Sequence, residues 1–342
     1  MSLRVLAGDI GGTNARFALV DVSGETEARI VHETRYPSGE APGLAPLVLR
    51  YLDEAPSRPE VACFGVACPV VEGECEATNL PWTISARALA REIGIPRTTI
   101  INDLRAAGEG LHSLTDDEVA VLQEGIPEAH GPIALIGAGT GLGHGYLLWE
   151  GSRYVVHPSE GGHADFSPTD ALQRDLLASL TDELDRVSWE RILSGDGIER
   201  IYRFLASRAR QEVAGNDTAA MIVQQAMAGT DEVSEQALDV FIRAYGTAAG
   251  NLALTVLATG GVYVTGGIAP RIVQRLTSGA FMDAFRAKGR LSEVVERMPV
   301  RVILTGDVAL YGAAAVAARQ FVIPSEGEGS RRHGEDPSLR SG

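Results

Sequence analysis

A strand–turn–strand pattern with a glycine-rich turn occurs twice in this chain and constrains its fold more than any other feature. The first copy, over 3–22, turns at Gly11-Gly12-Thr13-Asn14. The second copy, over 133–149, turns at Gly137-Ala138-Gly139-Thr140-Gly141. Two such hairpins, more than a hundred residues apart, suggest a duplicated unit whose related halves would face each other across a cleft.

Strand and helix patterns alternate through the rest of the chain. Short apolar or β-branched runs predict strands, and helical patterns predict helices, one of which Ser85 can cap and Gly94 can end. The strands are predicted at 61–67, 98–101, 261–265 and 300–304. The helices are predicted at 44–52, 86–93, 170–184, 189–193, 196–209, 217–228, 231–258, 270–277, 280–287 and 307–320. This alternation is typical of an α/β fold.

The chain is acidic, and its charge excludes one class of partner. Among 342 residues, Asp and Glu total 45 against 30 Lys and Arg, which gives a net charge of −15. A nucleic-acid binder would show a basic face, so we expect no nucleic-acid partner. No apolar run has the length of a bilayer span, and Asp9 interrupts the N-terminal apolar stretch too early for a signal peptide. We therefore expect a cytoplasmic protein without a membrane partner.

Lysine and cysteine usage narrow the chemistry further. Lys288 is the only lysine, so the phosphate-binding P-loop, which requires a lysine, is excluded. The chain has three cysteines, an odd number, and their spacing is not that of metal ligands. They are Cys63, Cys68 and Cys75. We therefore expect buried or free thiols in a reducing compartment, and no zinc site.

The first glycine turn carries groups that suit a phosphate. Glycines let backbone N–H groups approach an anion without interference from Cβ atoms, and the Thr13 hydroxyl adds a donor. Asp9, at the end of the preceding strand, could hold Mg²⁺ beside those phosphates. A plain hairpin also uses a pair such as Gly11 and Gly12, but the second turn at 137–140 favours phosphate binding.

Two further glycine segments need their own interpretation. The turn at 137–143 lacks the register of a dinucleotide fingerprint, and a strand pattern rather than a helix follows it, so dinucleotide binding is disfavoured. Gly266 and Gly267 lie between a predicted strand and a predicted helix. They could pack a flat purine against bare backbone, or they could simply connect the two elements.

Six short segments stand in order along the chain. They are Gly8-Asp9-Ile10-Gly11-Gly12-Thr13-Asn14-Ala15-Arg16, Ile101-Asn102-Asp103, Gly137-Ala138-Gly139-Thr140-Gly141-Leu142-Gly143, Glu160-Gly161-Gly162-His163, Ser188-Trp189-Glu190-Arg191-Ile192-Leu193-Ser194-Gly195 and Thr265-Gly266-Gly267-Ile268. By order and spacing they resemble the bacterial glucokinase family over residues 3–320. The resemblance implies a two-domain actin-like ATPase fold, which is a ribonuclease H-like α/β fold with an interdomain cleft.

The resemblance assigns roles to two residues that follow the predicted strand 98–101. Asp103 is the catalytic base, which contacts the substrate and accepts the proton of a sugar hydroxyl, and Asn102 binds a sugar hydroxyl. From the residues alone, a carboxylate at this place is also typical of a helix N-cap. The positive end of the helix would keep Asp103 ionised at neutral pH, as a base must be.

The resemblance also implies that Glu160, His163 and Glu190 contact the sugar ring. Carboxylates and an imidazole supply the acceptors and donors that sugar hydroxyls require. Two alternatives remain open. His163 could form a structural pair with Asp165, and Glu190 could be an acid favoured in the first turn of a helix by the helix dipole.

Asn79 is an additional candidate for contact with the sugar. It lies in Ala77-Thr78-Asn79-Leu80-Pro81-Trp82, a segment similar to the family's cleft segment. A proline turn with Trp82 as an aromatic anchor explains the same residues equally well. If the segment borders the cleft, Trp82 and Trp189 would both border it.

The nucleotide contacts implied by the resemblance come from the three glycine turns, and the implied cofactors are ATP and Mg²⁺. Asp9 is the predicted metal ligand. The predicted nucleotide contacts are Gly8, Asp9, Ile10, Gly11, Gly12, Thr13, Asn14, Gly139, Thr140, Gly266 and Gly267.

The predicted architecture has two α/β domains. The smaller holds 1–112 and the returning helix within 305–322, the larger holds 113–304, and we expect 325–342 to be a disordered tail. The resemblance implies phosphorylation of the 6-hydroxyl of glucose by ATP, and a homodimer. The alternatives are a kinase for another hexose or an acetamido sugar, and a non-catalytic actin-like protein that binds a nucleotide or a sugar.

Overall fold

The computed structural model describes residues 2–23, 27–77, 80–210 and 217–322. Asn79 and the predicted tail at 325–342 lie outside these ranges. The described residues form two large mixed sheets surrounded by helices, as the alternating sequence pattern predicts.

The first hairpin starts the first sheet. Its half of the chain contains β1 (Leu3–Ile10), β2 (Asn14–Ser23), β3 (Glu27–Pro37), β4 (Val61–Val66), β5 (Glu74–Glu76), β6 (Thr83–Ser85) and β7 (Arg97–Asn102). β1 and β2 pair antiparallel in a register that places Asp9 opposite Arg16. β4 lies parallel to β1 and β7 parallel to β4, so the strand order is β3-β2-β1-β4-β7. β5 and β6 form a separate small hairpin.

The second hairpin starts the second sheet in the same way. The strands of this half are β8 (Val119–Gln123), β9 (Ile133–Ala138), β10 (Leu142–Trp149), β11 (Tyr154–Ser159), β12 (Gly261–Thr265) and β13 (Val300–Ile303). Their order is β11-β10-β9-β12-β13-β8, and its first five positions repeat the topology of the first sheet. The repeat confirms at the level of topology the duplication inferred from the hairpins, with β8 added at one edge.

Helices cover the sheets. They are α1 (Leu44–Glu54), α2 (Ala86–Ile93), α3 (Asp103–Gly110), α4 (Ala171–Thr181), α5 (Gly195–Ala209), α6 (Ala219–Ala228), α7 (Glu232–Val256), α8 (Val273–Leu276), α9 (Ala280–Arg286), α10 (Ser292–Glu296) and α11 (Val308–Val322). The Ser85 hydroxyl caps α2, and Gly94 ends that helix with a φ of 70°, as predicted. Within the described ranges, no helix is both long and apolar enough to cross a bilayer.

Two helices join the halves. α3 contacts β4 and β7 of the first sheet as well as β10 and β11 of the second, and α11 packs on α3, β1 and β4. α3 and α11 approach closely, because a Cβ atom on Gly312 would overlap the carbonyl oxygen of Ala106 and one on Gly110 would overlap that of Val308. The N-terminus of α3 therefore lies where the two halves meet.

Some elements escape prediction for a physical reason. Along β3, exposed and half-buried residues alternate and only Tyr36 is buried, so no apolar run marks the strand. The sequence pattern also predicts no strand at the positions of β8 and β11. The predicted helix at 189–193 is a short 3₁₀ turn, Trp189–Arg191, and its first N–H donates to the Ala164 carbonyl of a neighbouring segment.

The expectation of free thiols was wrong for two of the three cysteines. Cys68 and Cys75 form a disulfide, whereas Cys63 is a free and buried thiol. Between the paired cysteines, Val71 and Glu74 exchange two backbone hydrogen bonds, so the chain folds back and brings Cys75 to Cys68. Spacing along the sequence does not reveal such a return.

Candidate active site

The first glycine turn is stabilised by hydrogen bonds from Ser38 and has two backbone N–H groups that can bind a ligand. The Gly11 N–H donates to the Asn14 carbonyl over 2.9 Å and closes the turn. Ser38, which is fully buried, donates its hydroxyl to the Gly11 carbonyl over 2.7 Å and its N–H to the Thr13 carbonyl over 2.9 Å. In the described part of the chain, nothing accepts the N–H groups of Gly12 and Thr13. Two backbone donors are therefore available to an anion.

Asp9 ends β1 beside this turn. Burial raises the pKa of its carboxyl to about 6; Arg16 opposes this effect, and the charges of Asp103 and Asp307 add to it. Its carboxylate has no hydrogen-bond partner among the residues that the structure describes. A partly buried carboxylate of this kind, next to two others, is suited to binding a cation.

Gly8 and Ile10 serve packing. A Cβ atom on Gly8 would overlap the ring of Phe64, and the Ile10 side chain is buried in the same core. Their predicted contacts with a nucleotide could therefore involve only backbone atoms, and these contacts stay a prediction.

The second and third glycine turns adjoin each other. A Cβ atom on Gly139 would lie 3.8 Å from the Gly267 nitrogen, and the Ile268 N–H donates to the Ala138 carbonyl over 3.2 Å. Gly266 has a φ of 89°, and a Cβ atom there would overlap the Ala138 carbonyl oxygen, so only glycine fits. The structure thus brings these two predicted nucleotide-binding turns into one surface.

A helix N-terminus, which the sequence argument left without a role, lies against the second turn. The Gly195 N–H at the start of α5 donates to the Gly139 carbonyl over 2.9 Å. Ser194 caps the helix by accepting the Gly197 N–H. The signal was present in the sequence as a serine cap before a helical pattern. The positive end of a helix dipole favours an anion at this turn.

Asn102, not Asp103, caps α3. Its Oδ1 accepts the N–H groups of Leu104 and Arg105 over 3.1 and 3.2 Å. Its Nδ2 donates to Asp103 Oδ1 over 3.0 Å and to the Cys68 carbonyl over 3.3 Å. Asn102 therefore orients Asp103, and its predicted contact with a sugar hydroxyl would have to share these bonds.

Asp103 is the first residue of α3. Its Oδ1 accepts the Leu104 N–H over 2.8 Å, and its Oδ2 hydrogen-bonds no other residue of the described ranges. Burial raises the pKa of the carboxyl, the Leu104 N–H and the Asn102 amide lower it, and the charge of Glu160 raises it. The helix start favours the charged form, as predicted, but burial outweighs it and the pKa lies above the ordinary value.

Glu160, His163 and Glu190 come together although they lie on separate segments. His163 Nε2 is 3.7 Å from Glu160 Oε2, and His163 Nδ1 is 3.7 Å from Glu190 Oε1. Glu190 Oε2 accepts the Leu142 N–H over 3.0 Å, which ties it to the second hairpin. His163 and Glu160 are largely exposed, so this cluster can be reached by a polar ligand.

The structural alternative for His163 is not observed. Asp165 pairs with Arg186 over 2.5 Å instead of with the imidazole. Asp165 also forms a β-bridge with Ser188, which holds the segments of His163 and Glu190 side by side.

Asp103 lies between the first glycine turn and the cluster of Glu160, His163 and Glu190. The charge of Asp103 acts on the pKa of Asp9, and the charge of Glu160 acts on the pKa of Asp103. A Cβ atom on Gly65, which pairs with Asp9 in the sheet, would lie 3.6 Å from the Asp103 Cα. Three carboxylates thus run from the first glycine turn to the loop of Glu160.

The two tryptophans predicted to border the cleft are both buried. Trp82 is 3% exposed and donates its indole N–H to the Ala41 carbonyl, as an aromatic anchor would, whereas the proposed sugar contact of Asn79 stays a prediction. Trp189 is 5% exposed and packs edge-on against Phe166.

The geometry agrees with the comparisons to known proteins. A sequence model of the glucokinase family matches residues 6–320. The curated glucokinase of Trichormus variabilis is 44% identical over 338 residues, which cover 92% of this chain and 99% of that protein.

Solved structures agree as well. The crystal structure of glucokinase from an Antarctic psychrotroph matches with a TM-score of 0.81 and 33% identity, covering 92% of this chain and 99% of that one. A ROK family glucokinase from Streptomyces griseus, in complex with glucose and AMPPNP, matches in fold with a TM-score of 0.65 and 21% identity, covering 92% and 99%. The chain has the actin-like ATPase fold of these sugar kinases and belongs to the glucokinase family.

Proposed function

We propose that this protein transfers the γ-phosphoryl group of ATP to the 6-hydroxyl of glucose and forms glucose 6-phosphate, the first step of glycolysis. Family membership supports the reaction class. The observation that carries the assignment is the position of Asp103, which lies between a glycine turn with free N–H donors and a cluster suited to sugar hydroxyls.

On the sugar side, three groups orient the ring. Glu160 and Glu190 accept hydrogen bonds from hydroxyls, and His163 between them donates or accepts according to its tautomer. Asn102 holds Asp103 and adds an amide near the reacting hydroxyl. Asn79 remains a proposed further contact outside the described residues.

On the phosphate side, backbone groups do most of the binding. The N–H groups of Gly12 and Thr13 approach the terminal phosphates, the turn at Gly139 and Thr140 holds the remaining phosphate oxygens, and Gly266 and Gly267 leave room for the purine. Asp103 Oδ2 accepts the proton of the attacking hydroxyl. Because the transition state of phosphoryl transfer is loose, this proton moves late and a weak base suffices.

Asp9 is the proposed Mg²⁺ ligand. Among the described residues, no group of three or more His, Cys, Asp or Glu side chains could hold a metal ion. Mg²⁺, however, often binds through one or two carboxylates plus substrate phosphates, and keeps several waters. The Asp9 carboxylate, without a hydrogen-bond partner in the described part and next to Asp103 and Asp307, fits that mode. When bound, the ion would neutralise phosphate charge.

The domain division and the assembly are also proposals. The first sheet with α11 forms the smaller domain, 1–112 and 305–322, and the second sheet forms the larger, 113–304. Separate hydrophobic cores around the two sheets support this division. We propose a cytoplasmic homodimer; sedimentation velocity measures the assembly, and a monomer at micromolar concentration would contradict it.

The test is a coupled assay of sugar phosphate formation from ATP with glucose, mannose, fructose and N-acetylglucosamine. Glucose should give the highest kcat/KM. Replacing Asp103 with Asn should lower kcat by a factor of about 10² to 10⁴, because the base is lost while the shape is kept. Asp116→Asn, at an exposed carboxylate in a surface turn, is the matched control and should retain normal turnover.

Three outcomes would contradict the proposal. Near-normal turnover of Asp103→Asn would remove that residue from its role. A higher kcat/KM for N-acetylglucosamine or another hexose would replace glucose as substrate. Binding of ATP and sugar without any product would indicate a non-catalytic protein.

A further inference from the structure

Tyr245, in the middle of α7, makes an unusual set of contacts for a core residue. Its side chain is fully buried, yet its hydroxyl lies among backbone groups of two different strands. The hydroxyl accepts the Ala138 N–H over 3.1 Å. It lies 3.3 Å from the carbonyl oxygen of Ile136 and 3.3 Å from that of Thr265, and these two acceptors share its single proton.

These backbone groups belong to the last residues of β9 and β12. The parallel ladder between the two strands ends at the pair Gly137 and Thr265. Beyond this pair the regular ladder stops and the two strands lead into the second and third glycine turns. The Tyr245 hydroxyl therefore takes the place of the next rung of the ladder, bridging Ala138 of one strand and Thr265 of the other.

The same two strand ends carry the contacts between the turns. The Ala138 carbonyl accepts the Ile268 N–H, and Gly266 lies directly against that carbonyl. Ala138 is thus bonded on its N–H side by Tyr245 and on its carbonyl side by the third turn. A shift of Ala138 would move both turns relative to each other.

The ring of Tyr245 is held independently of its hydroxyl. Phe241 and Phe281 pack edge-on against it at centroid distances of 5.7 Å each. The backbone of Gly246 lies against the Phe281 carbonyl, which fixes α7 at this level. Removing the hydroxyl alone should therefore leave the ring in place and free only the two strand ends. Burial also raises the pKa of Tyr245, so its hydroxyl keeps its proton across the working pH range.

We propose that Tyr245 is a positioning residue for the nucleotide: its hydroxyl sets the separation of the turn at Gly139 and Thr140 from the turn at Gly266 and Gly267. The proposal rests on the proposed function, which assigns the phosphates and the purine of ATP to these two turns. Tyr245 touches no substrate and acts only through the backbone. Its loss should weaken the binding of ATP and leave the binding of sugar unchanged.

The experiment compares Tyr245→Phe with Tyr51→Phe. Tyr51 is a matched control because it is also fully buried, packs against Phe17 and donates its hydroxyl to a backbone carbonyl, that of His32 over 3.0 Å. It lies in the core of the first sheet, in a hydrophobic cluster separate from that of Tyr245. Both variants should lose a few degrees of Tm, since each removes the buried hydrogen bonds of one hydroxyl, which for Tyr51 include a contact with His32 Nδ1.

Only Tyr245→Phe should weaken the binding of the nucleotide. We expect its KM for ATP to rise about tenfold, because a small displacement of binding groups is costly, while the KM for glucose stays within about twofold of wild type. The Kd of AMPPNP, measured by calorimetry, should rise in parallel. An unchanged KM and Kd in Tyr245→Phe, or an equal rise in Tyr51→Phe, overturns the proposal.

Two measurements keep the test decisive. If Tyr245→Phe does not fold, amide hydrogen exchange of the wild-type protein, measured by NMR, takes its place. The Ala138 amide should exchange as slowly as the other amides of β9, and rapid exchange overturns the proposal. If the wild-type protein forms no sugar phosphate, the proposed function fails. The AMPPNP titration of the two variants still tests the role of Tyr245 in that case.

Discussion

At the scale of single residues, the site depends on carboxylates whose environment opposes their charge. Asp9 and Asp103 are both partly buried, both have a raised pKa, and Asp103 adds to the effect on Asp9. The Leu104 N–H at the helix start and the Asn102 amide partly offset the effect of burial on the pKa of Asp103, the proposed base. Because partly buried carboxylates lower the stability of the folded protein, such a site is typical of function rather than of packing.

Asp9→Asn should make the metal-free protein more stable and inactive. The pKa of Asp9 rises from 3.8 to about 6 on folding, so the native state binds the proton more tightly. The stabilisation from this proton is complete below about pH 3.8 and is lost as pH rises through about 6. At pH 8 the variant should therefore gain up to about 3 kcal/mol of unfolding free energy, since one pKa unit corresponds to about 1.4 kcal/mol.

Urea denaturation at several pH values, with a chelator present, measures this effect. The gain should shrink towards pH 4, where the wild-type carboxyl is protonated. Asp116→Asn, at an exposed carboxylate, should show no such pH dependence. Equal stability of Asp9→Asn and wild type at pH 8 would contradict the burial argument.

At the scale of secondary-structure elements, the crossing of α3 and α11 matters most. α3 carries Asp103 at its first turn, and α11 fixes it through close backbone contact at Gly110 and Gly312. The buried Glu109 of α3 also pairs with Arg319 of α11. The proposed catalytic base therefore depends on a helix that lies more than two hundred residues away in sequence.

Gly312→Ala should destabilise the protein by about 1 to 3 kcal/mol, because its Cβ atom would overlap the Ala106 carbonyl oxygen and force the helices apart. The kcat should fall as well, since the separation displaces Asp103. Thermal unfolding and the coupled assay measure the two effects. Gly39→Ala is the control, because no atom lies within 4 Å of the added methyl group. A Tm equal to wild type for Gly312→Ala would show that the crossing can relax.

At the scale of the protein as a whole, the negative net charge opposes the binding of ATP but not the binding of glucose. The chain carries −15, and ATP is an anion even when bound to Mg²⁺, whereas glucose is neutral. In the proposed function, local donors at the glycine turns bind the phosphates of ATP against a repulsive field. Salt screens that field over about 10 Å at 0.1 M.

Raising the ionic strength from about 20 to about 150 mM should therefore increase kcat/KM for ATP by about twofold. The kcat/KM for glucose at saturating ATP should stay constant, which makes the neutral substrate its own control. Steady-state kinetics at constant free Mg²⁺ measures both values. A fall in kcat/KM for ATP with salt would indicate that local attraction outweighs the charge of the whole protein.

Features that depend on neighbouring residues could be predicted from the amino-acid sequence. The glycine turns, the hairpins and the cap of α2 follow from backbone freedom, hydrophobic alternation and side-chain acceptors within a few positions. The segment that carries Asn102 and Asp103 could also be located, because a strand that ends at a polar pair before a helix is a local pattern.

Properties that depend on contacts between distant segments could not be predicted and are visible only in the folded protein. The raised pKa of Asp103 and the bridge made by Tyr245 arise from groups that are far apart in sequence and meet through folding. The polar strand β3 likewise exists because β2 offers it an edge to pair with. Burial and long-range contact are properties of the packed molecule, and no window of sequence contains them.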